Sequence, residues 1–156
     1  MSTLAEMTDV YLAGVSQLRD AVKAMTPEQA AARPVPGKWS TVECVAHIAD
    51  FEPVFADRMK RVIALDRPLL FAADENEYFK HLVYGHRDLG EEMAVIEATR
   101  KEMARILRHV PESSLQRAGV HNEKGLITLA DILGYVTNHL THHLRHILEK
   151  KKALGL

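Results

Sequence analysis

The chain has 156 residues, 47% of them hydrophobic and 26% charged, and a net charge of −1. That length predicts one domain over residues 1–156, and the balanced charge excludes a field strong enough to recruit nucleic acid or anionic lipid. A single cysteine, Cys44, rules out an intrachain disulfide; with no signal-peptide pattern and no run near the ~18 apolar residues of a membrane span, a cytoplasmic protein is expected.

Apolar residues recur at helical spacing, without the alternation of strands. Leu4, Met7, Tyr11, Val15, Leu18, Val22 and Met25 predict a first helix over roughly Ser2–Met25. Thr26-Pro27 reads as the cap and first residue of a short helical turn. Residues 33–38, Arg-Pro-Val-Pro-Gly-Lys, are extended and then turned. Ser40-Thr41-Val42-Glu43 is a capping box, which predicts a second long helix from Thr41 to about Leu65; Pro53 inside it predicts a kink just after His47. Asp74-Glu75-Asn76-Glu77 opens a short piece ending near Tyr84. A third long helix is predicted over about Gly90–Val110, stopped by Pro111. Residues 112–127 form a connector containing Gly119 and Gly125, and Thr128 with Asp131 caps the last helix, Thr128–Leu154. Four long helices and no strands predict an all-α four-helix bundle. The long connectors can cross the bundle, so up-down-up-down order is not required.

Nine histidines give the chain its chemistry. His139 and His143 lie four apart, a little over one turn, on the edge of an apolar stripe with Ile132, Val136 and Ile147. With His47 brought in from the second long helix, three imidazoles can converge on one metal ion and leave positions open, the pattern of a reactive site. A His pair at this spacing also fits surface decoration, and a single His fits a buried hydrogen-bonding role. His142 and His146 are also four apart but rotate toward the polar side, which leaves His142 a candidate for the cleft beside the triad and not for a ligand. Asp50, three residues after His47, and Glu43 are candidates to orient an imidazole or act as a base. Arg58, one turn past Val54, is a cleft candidate, or else pairs with Asp74 or Glu77. His81, His86, His109 and His121 read as surface or loop residues, Cys44 as a buried inert thiol, and Trp39 as a packing anchor. Lys150–Lys152 reads as the charge complement of a helix C-terminus.

Two segments together carry a family resemblance. Pro36-Gly37-Lys38-Trp39-Ser40, then Glu43, His47, Ile48 and Asp50, resembles the helix-two signature of the DinB-like (YfiT-like) superfamily of metalloenzymes. Gly125, Thr128 and Leu129, then His139-Leu140-Thr141-His142-His143-Leu144, resembles its helix-four signature. The resemblance spans essentially the whole chain. It implies an up-down-down-up four-helix bundle, often a homodimer, and a divalent metal, Zn or Ni, held by His47, His139 and His143. It further implies a small-molecule substrate and a low-molecular-weight thiol, in an S-transferase or isomerase reaction. A metal-dependent hydrolase and a non-enzymatic, metal-stabilised ligand-binding bundle are the alternatives. A basic pocket beside the ion, using Arg58 or Arg145, would favour the thiol reaction; a carboxylate in reach of the ion would favour hydrolysis.

Overall fold

In a computed structural model, which describes residues 2–156, the four long helices form where apolar periodicity meets a cap. Helix α1 runs Leu4–Val22 behind a Thr3/Glu6 capping box. The short α2, Pro27–Ala31, starts at Thr26 with proline in its first turn. Helix α3, Thr41–Ala64, has both halves of the Ser40/Glu43 box and continues through Pro53. The short α4, Glu75–His81, is capped by Asp74, whose carboxylate accepts from the Asn76 and Glu77 amides. A 3-10 turn at Tyr84–His86 follows. Helix α5 spans Leu89–Leu107, and α6 spans Leu129–Ala153 behind a Thr128/Asp131 box.

The expectation of no strands is corrected. Leu69–Leu70 (β1), Ala118–His121 (β2) and Gly125–Thr128 (β3) form a small sheet in the order β1-β2-β3. Strand β1 pairs parallel to β2, and β2 antiparallel to β3. Two residues are too few to show alternation, and the glycines of β2 and β3 read as loop. The pairing is tertiary: a Cβ on Gly119 would stand 2.9 Å from the Pro68 carbonyl oxygen, so glycine lets β1 close onto β2. Gly125 turns the hairpin with φ +72°.

Helix α1 packs on α5 and α6, and α3 packs on the same two helices. The first two long helices are therefore diagonal across the bundle, as are the last two. Two buried apolar clusters fill it. One gathers Tyr11, Phe51, Phe55, Met59, Met103, Ile132 and Val136. The other gathers Val15, Leu18, Val45, Ile48, Ile96, Leu140 and Ile147. On α3, Ile48 belongs to one cluster and Phe51 to the other; on α6, Val136 and Leu140 divide the same way. His47 and His139 sit at that seam. No described helix is long and apolar enough to cross a membrane.

Candidate metal centre

His47 comes from the middle of α3, and His139 and His143 come from successive turns of α6. One ligand nitrogen from each can be chosen so that all lie within 4.8 Å of one another. The Nε2 atoms of His47 and His139 are 2.8 Å apart. The His143 ring centroid is 4.6 Å from that of His47 and 4.7 Å from that of His139. Tetrahedral zinc with bonds of about 2.0–2.1 Å places ligand nitrogens roughly 3.3 Å apart. The triad therefore meets the size of such a site with small side-chain adjustments.

Electrostatics point the same way. His47 is fully buried, and His139 and His143 are half-buried. Burial, followed by neighbouring ring charges, pushes all three imidazoles down from 6.5 to about 3. At neutral pH each ring is uncharged and keeps one lone pair, the form a metal requires. Nδ1 of His47 and of His139 is buried and meets no hydrogen-bond partner among the described residues. The ring atoms that meet are the Nε2 atoms, so the fit to a divalent ion rests on three uncharged imidazoles with converging nitrogens, a donor set suited to zinc or nickel.

His139 and His143 line a cavity of about 350 Å³, with His47 buried behind them. Trp39 forms one wall, stacked on Phe79 with centroids 4.6 Å apart and set edge-on to His47 at 5.4 Å. It thus does more than anchor packing. Cys44, Glu75, His142, His146, Lys38 and Lys150 also line the space. His142 is exposed on the rim, its ring 5.2 Å from that of His143.

The other sequence candidates lie elsewhere. Asp50 forms a two-pronged ion pair with Arg87, at 2.8 and 2.9 Å, and does not orient His47. Arg87 also holds Glu92, at 2.7 Å, so this region ties α3 to the start of α5. Glu43 is spent on the Ser40 amide at 2.7 Å and on Arg33, whose guanidinium holds its carboxyl below the usual range against the opposing effect of burial. Arg58 lines a separate cavity of about 360 Å³ near β1, where it donates to the Phe71 carbonyl at 2.5 Å. Neither Asp74 nor Glu77 pairs with it: Asp74 caps α4, and Glu77 lies beside His81. Arg145 is exposed. Cys44 is buried, and burial pushes its thiol up. His121 is buried in β2, not exposed, with Nδ1 accepting from the Glu123 and Lys124 amides.

Two lining residues escaped sequence reasoning. Glu75, at the start of α4, brings a carboxylate oxygen 3.9 Å from His47 Nε2. Its only sequence signal was its place behind the Asp74 cap. Lys150 is 98% buried, although it sits in a run of three lysines. Its spacing of seven from His143 was the available signal, since seven residues return to the same helix face.

The sequence profile of the DinB superfamily matches residues 13–147. A candidate metal-dependent hydrolase of Oceanobacillus iheyensis is 28% identical over 111 residues, 71% of this chain and 64% of that protein. YfiT of Bacillus subtilis, also a candidate metal-dependent hydrolase, is 26% identical over 141 residues, 90% of this chain and 79% of that protein. The solved structure of YfiT, described as an unusual four-helix bundle, matches with a TM-score of 0.90 at 24% identity, over 99% of this chain and 90% of that one. A mycothiol-dependent maleylpyruvate isomerase matches with a TM-score of 0.70 at 13% identity, over 92% of this chain and 62% of that one. The two structural likenesses establish the bundle fold. This chain spans less than two-thirds of the Oceanobacillus protein and of the isomerase.

Proposed function

This chain belongs to the DinB superfamily, and from that premise we propose that it is a single-domain, metal-dependent enzyme using a small cellular thiol, of transferase or isomerase type. His47, His139 and His143 hold a divalent transition ion, zinc or nickel. The observation that carries the reading is their convergence: three uncharged imidazoles from two helices, two of which, His139 and His143, line a cavity. When bound, such an ion supplies a Lewis acid that favours the deprotonated form of a thiol or a water at neutral pH.

The chain's own residues supply the rest. Trp39 and Phe79 wall off one side of the triad and exclude water from it. Cys44 is no nucleophile, because burial keeps its thiol protonated, so the reacting thiol comes with the small molecule. The likeness to a mycothiol-dependent isomerase supports a thiol reaction. The diagonal placement of α1 and α3 supports the up-down-down-up connectivity.

One observation favours a second reading, a metal-dependent hydrolase. Glu75 stands 3.9 Å from His47 Nε2 and can take a proton at its carboxylate. The designation of the two relatives agrees with it. Glu75→Gln separates the two: hydrolysis loses its base, whereas affinity for a small thiol holds.

The first test is metal analysis of protein purified without an affinity tag. About one transition-metal ion per chain is expected, lost in the triple His47/His139/His143→Ala variant. His143→Ala alone abolishes stoichiometric metal and leaves a folded helical protein, whereas His142→Ala retains the metal. The reverse pattern for His142 and His143 overturns the ligand assignment. No metal in any sample, after reconstitution with zinc and with nickel, removes both enzyme readings.

A further inference from the structure

Lys150 is the odd group in the cavity. Its side chain is 98% buried, yet among the described residues no carboxylate lies within 4.0 Å of its ammonium. Nζ donates to the His146 carbonyl at 3.1 Å and contacts Cys44 Sγ at 3.5 Å. The partner thiol is uncharged, because burial pushes it up. An ammonium has three donors, and these contacts use two. Glu43, next to Cys44 on α3, is held by Arg33. A buried cation without a counter-charge costs several kcal/mol in the general case. Complementing the end of α6 does not explain it, since Lys152 is exposed in the same last turn and can do that from solvent.

Position gives this charge a use. Lys150 lines the same cavity as His139 and His143. Its Nζ reaches back to the level of His146, which is three residues, or roughly one 5.4 Å turn, beyond His143. On the facing helix Cys44 is likewise three residues from His47. The cavity thus has a metal-ligand level and, about one turn away, a cationic level. Lys38 lines it as well.

We propose that Lys150 is the anchor for a carboxylate on the small molecule that the histidine triad engages at its other end. The substrate or co-substrate class is then a short bifunctional anion: a metal-binding group, a thiol on the reading above, and a carboxylate a few bonds away. The thiol part rests on that reading; the carboxylate part rests on Lys150 alone. An arriving carboxylate accepts the free ammonium donor and supplies the counter-charge that the folded chain lacks. A charge-assisted hydrogen bond of this kind is worth roughly tenfold or more in affinity.

Isothermal titration calorimetry of the zinc-loaded protein tests this with three probes: 3-mercaptopropionate, its uncharged counterpart 3-mercaptopropan-1-ol, and succinate. The carboxylate thiol is expected to bind roughly tenfold tighter than the alcohol. In Lys150→Met the two thiols become equal, and the affinity for the alcohol stays as in the wild type. Succinate reads the anion site without the thiol. If neither thiol binds while succinate binds and loses affinity in Lys150→Met, the thiol reading falls and the anchor stands. Equal affinities for the two thiols in the wild type, a preference that survives Lys150→Met, or no binding of any probe overturns the anchor. Should Lys150→Met fail to fold, Lys150→Gln serves in its place, and the wild-type preference decides independently. Thermal unfolding of the metal-free protein adds a second readout. Removing a buried ammonium that lacks a counter-charge raises Tm, whereas a structural lysine lowers it on removal.

Discussion

The bundle buries two polar clusters one turn apart, and they are built on opposite principles. Behind the triad, Arg100 and Glu52 are both fully buried and meet at 2.5 Å. Arg100 also donates to the Tyr11 carbonyl at 2.5 Å and the Val136 carbonyl at 3.2 Å, and lies over the Tyr11 ring at 4.4 Å. The Tyr11 hydroxyl contacts Glu52 at 3.5 Å. Charge cancels there, although Arg100 Nε meets no hydrogen-bond partner among the described residues, and one guanidinium joins α1, α3, α5 and α6. In the triad and at Lys150 charge and lone pairs stay uncancelled. Imidazole nitrogens face one another, with the exposed Glu75 carboxylate no nearer than 3.9 Å to His47 Nε2, and an ammonium faces a thiol. A polar cluster whose charge is complete within the chain serves the fold. One that is incomplete awaits a ligand.

The largest effect is expected from breaking the complete cluster. Glu52→Gln leaves Arg100 buried without its counter-charge, and removing one partner of such a pair costs about 3–5 kcal/mol. Urea unfolding would show it as a lower midpoint at unchanged slope. A loss below about 1 kcal/mol would mean that the pair is no anchor, and the contrast between the clusters would lose its first half.

The incomplete cluster answers to acid instead. In the metal-free protein the three histidines titrate near 3 when folded and near 6.5 when unfolded. Between those values the unfolded chain binds protons that the folded chain refuses. Stability from these groups is therefore complete above about pH 6.5 and falls as pH drops toward 3. The urea midpoint of metal-free protein should fall across this window, and the triple His→Ala variant should lose most of that slope. Equal slopes would place the histidines in a solvated environment.

Gly14→Ala comes next. An alanine usually gains up to about 1 kcal/mol over glycine inside a helix. Here the added Cβ stands 2.9 Å from Arg100 Nη1 and 3.1 Å from Leu140 Cδ2. Arg100 is pinned by Glu52 and two carbonyls and cannot step aside. A net loss of about 1–2 kcal/mol is expected. In a Glu52→Gln background Arg100 is freer and the loss should shrink, which a double-mutant cycle reads directly.

The contrast also marks what the sequence makes legible. His47, His139 and His143 were readable because caps fix the register of α3 and α6, and helical spacing then orients the side chains. Arg100 was not read from the sequence, although Ile96, Arg100 and Met103 share the buried stripe of α5. Its partner was not readable, since Glu52 lies on α3 and the register of α3 against α5 is set only by packing. Glu75 was hidden for a different reason. Its approach to His47 depends on the path of residues 65–88, and the β1–β2 pairing helps fix that path. Lys150 was masked by its neighbours in a basic run, because composition does not show which lysine turns inward.

The smallest effect separates orientation from packing at His47. Sequence distance suggested that Asp50 fixes this imidazole, as a carboxylate behind a metal-binding histidine commonly does. Losing such a carboxylate weakens metal binding about 10- to 100-fold. In the structure both Asp50 oxygens are taken by Arg87, and His47 Nδ1 meets no protein acceptor. Asp50→Asn should therefore leave zinc affinity within about twofold of the wild type by chelator competition, far short of the loss expected from an orienting carboxylate. Stability should fall by about 1 kcal/mol, because the pair is partly exposed and Arg87 keeps Glu92. A tenfold loss of zinc affinity would mean that Asp50 leaves Arg87 for His47 when the ion binds, and the triad would then be less pre-organised than its buried, uncharged rings imply.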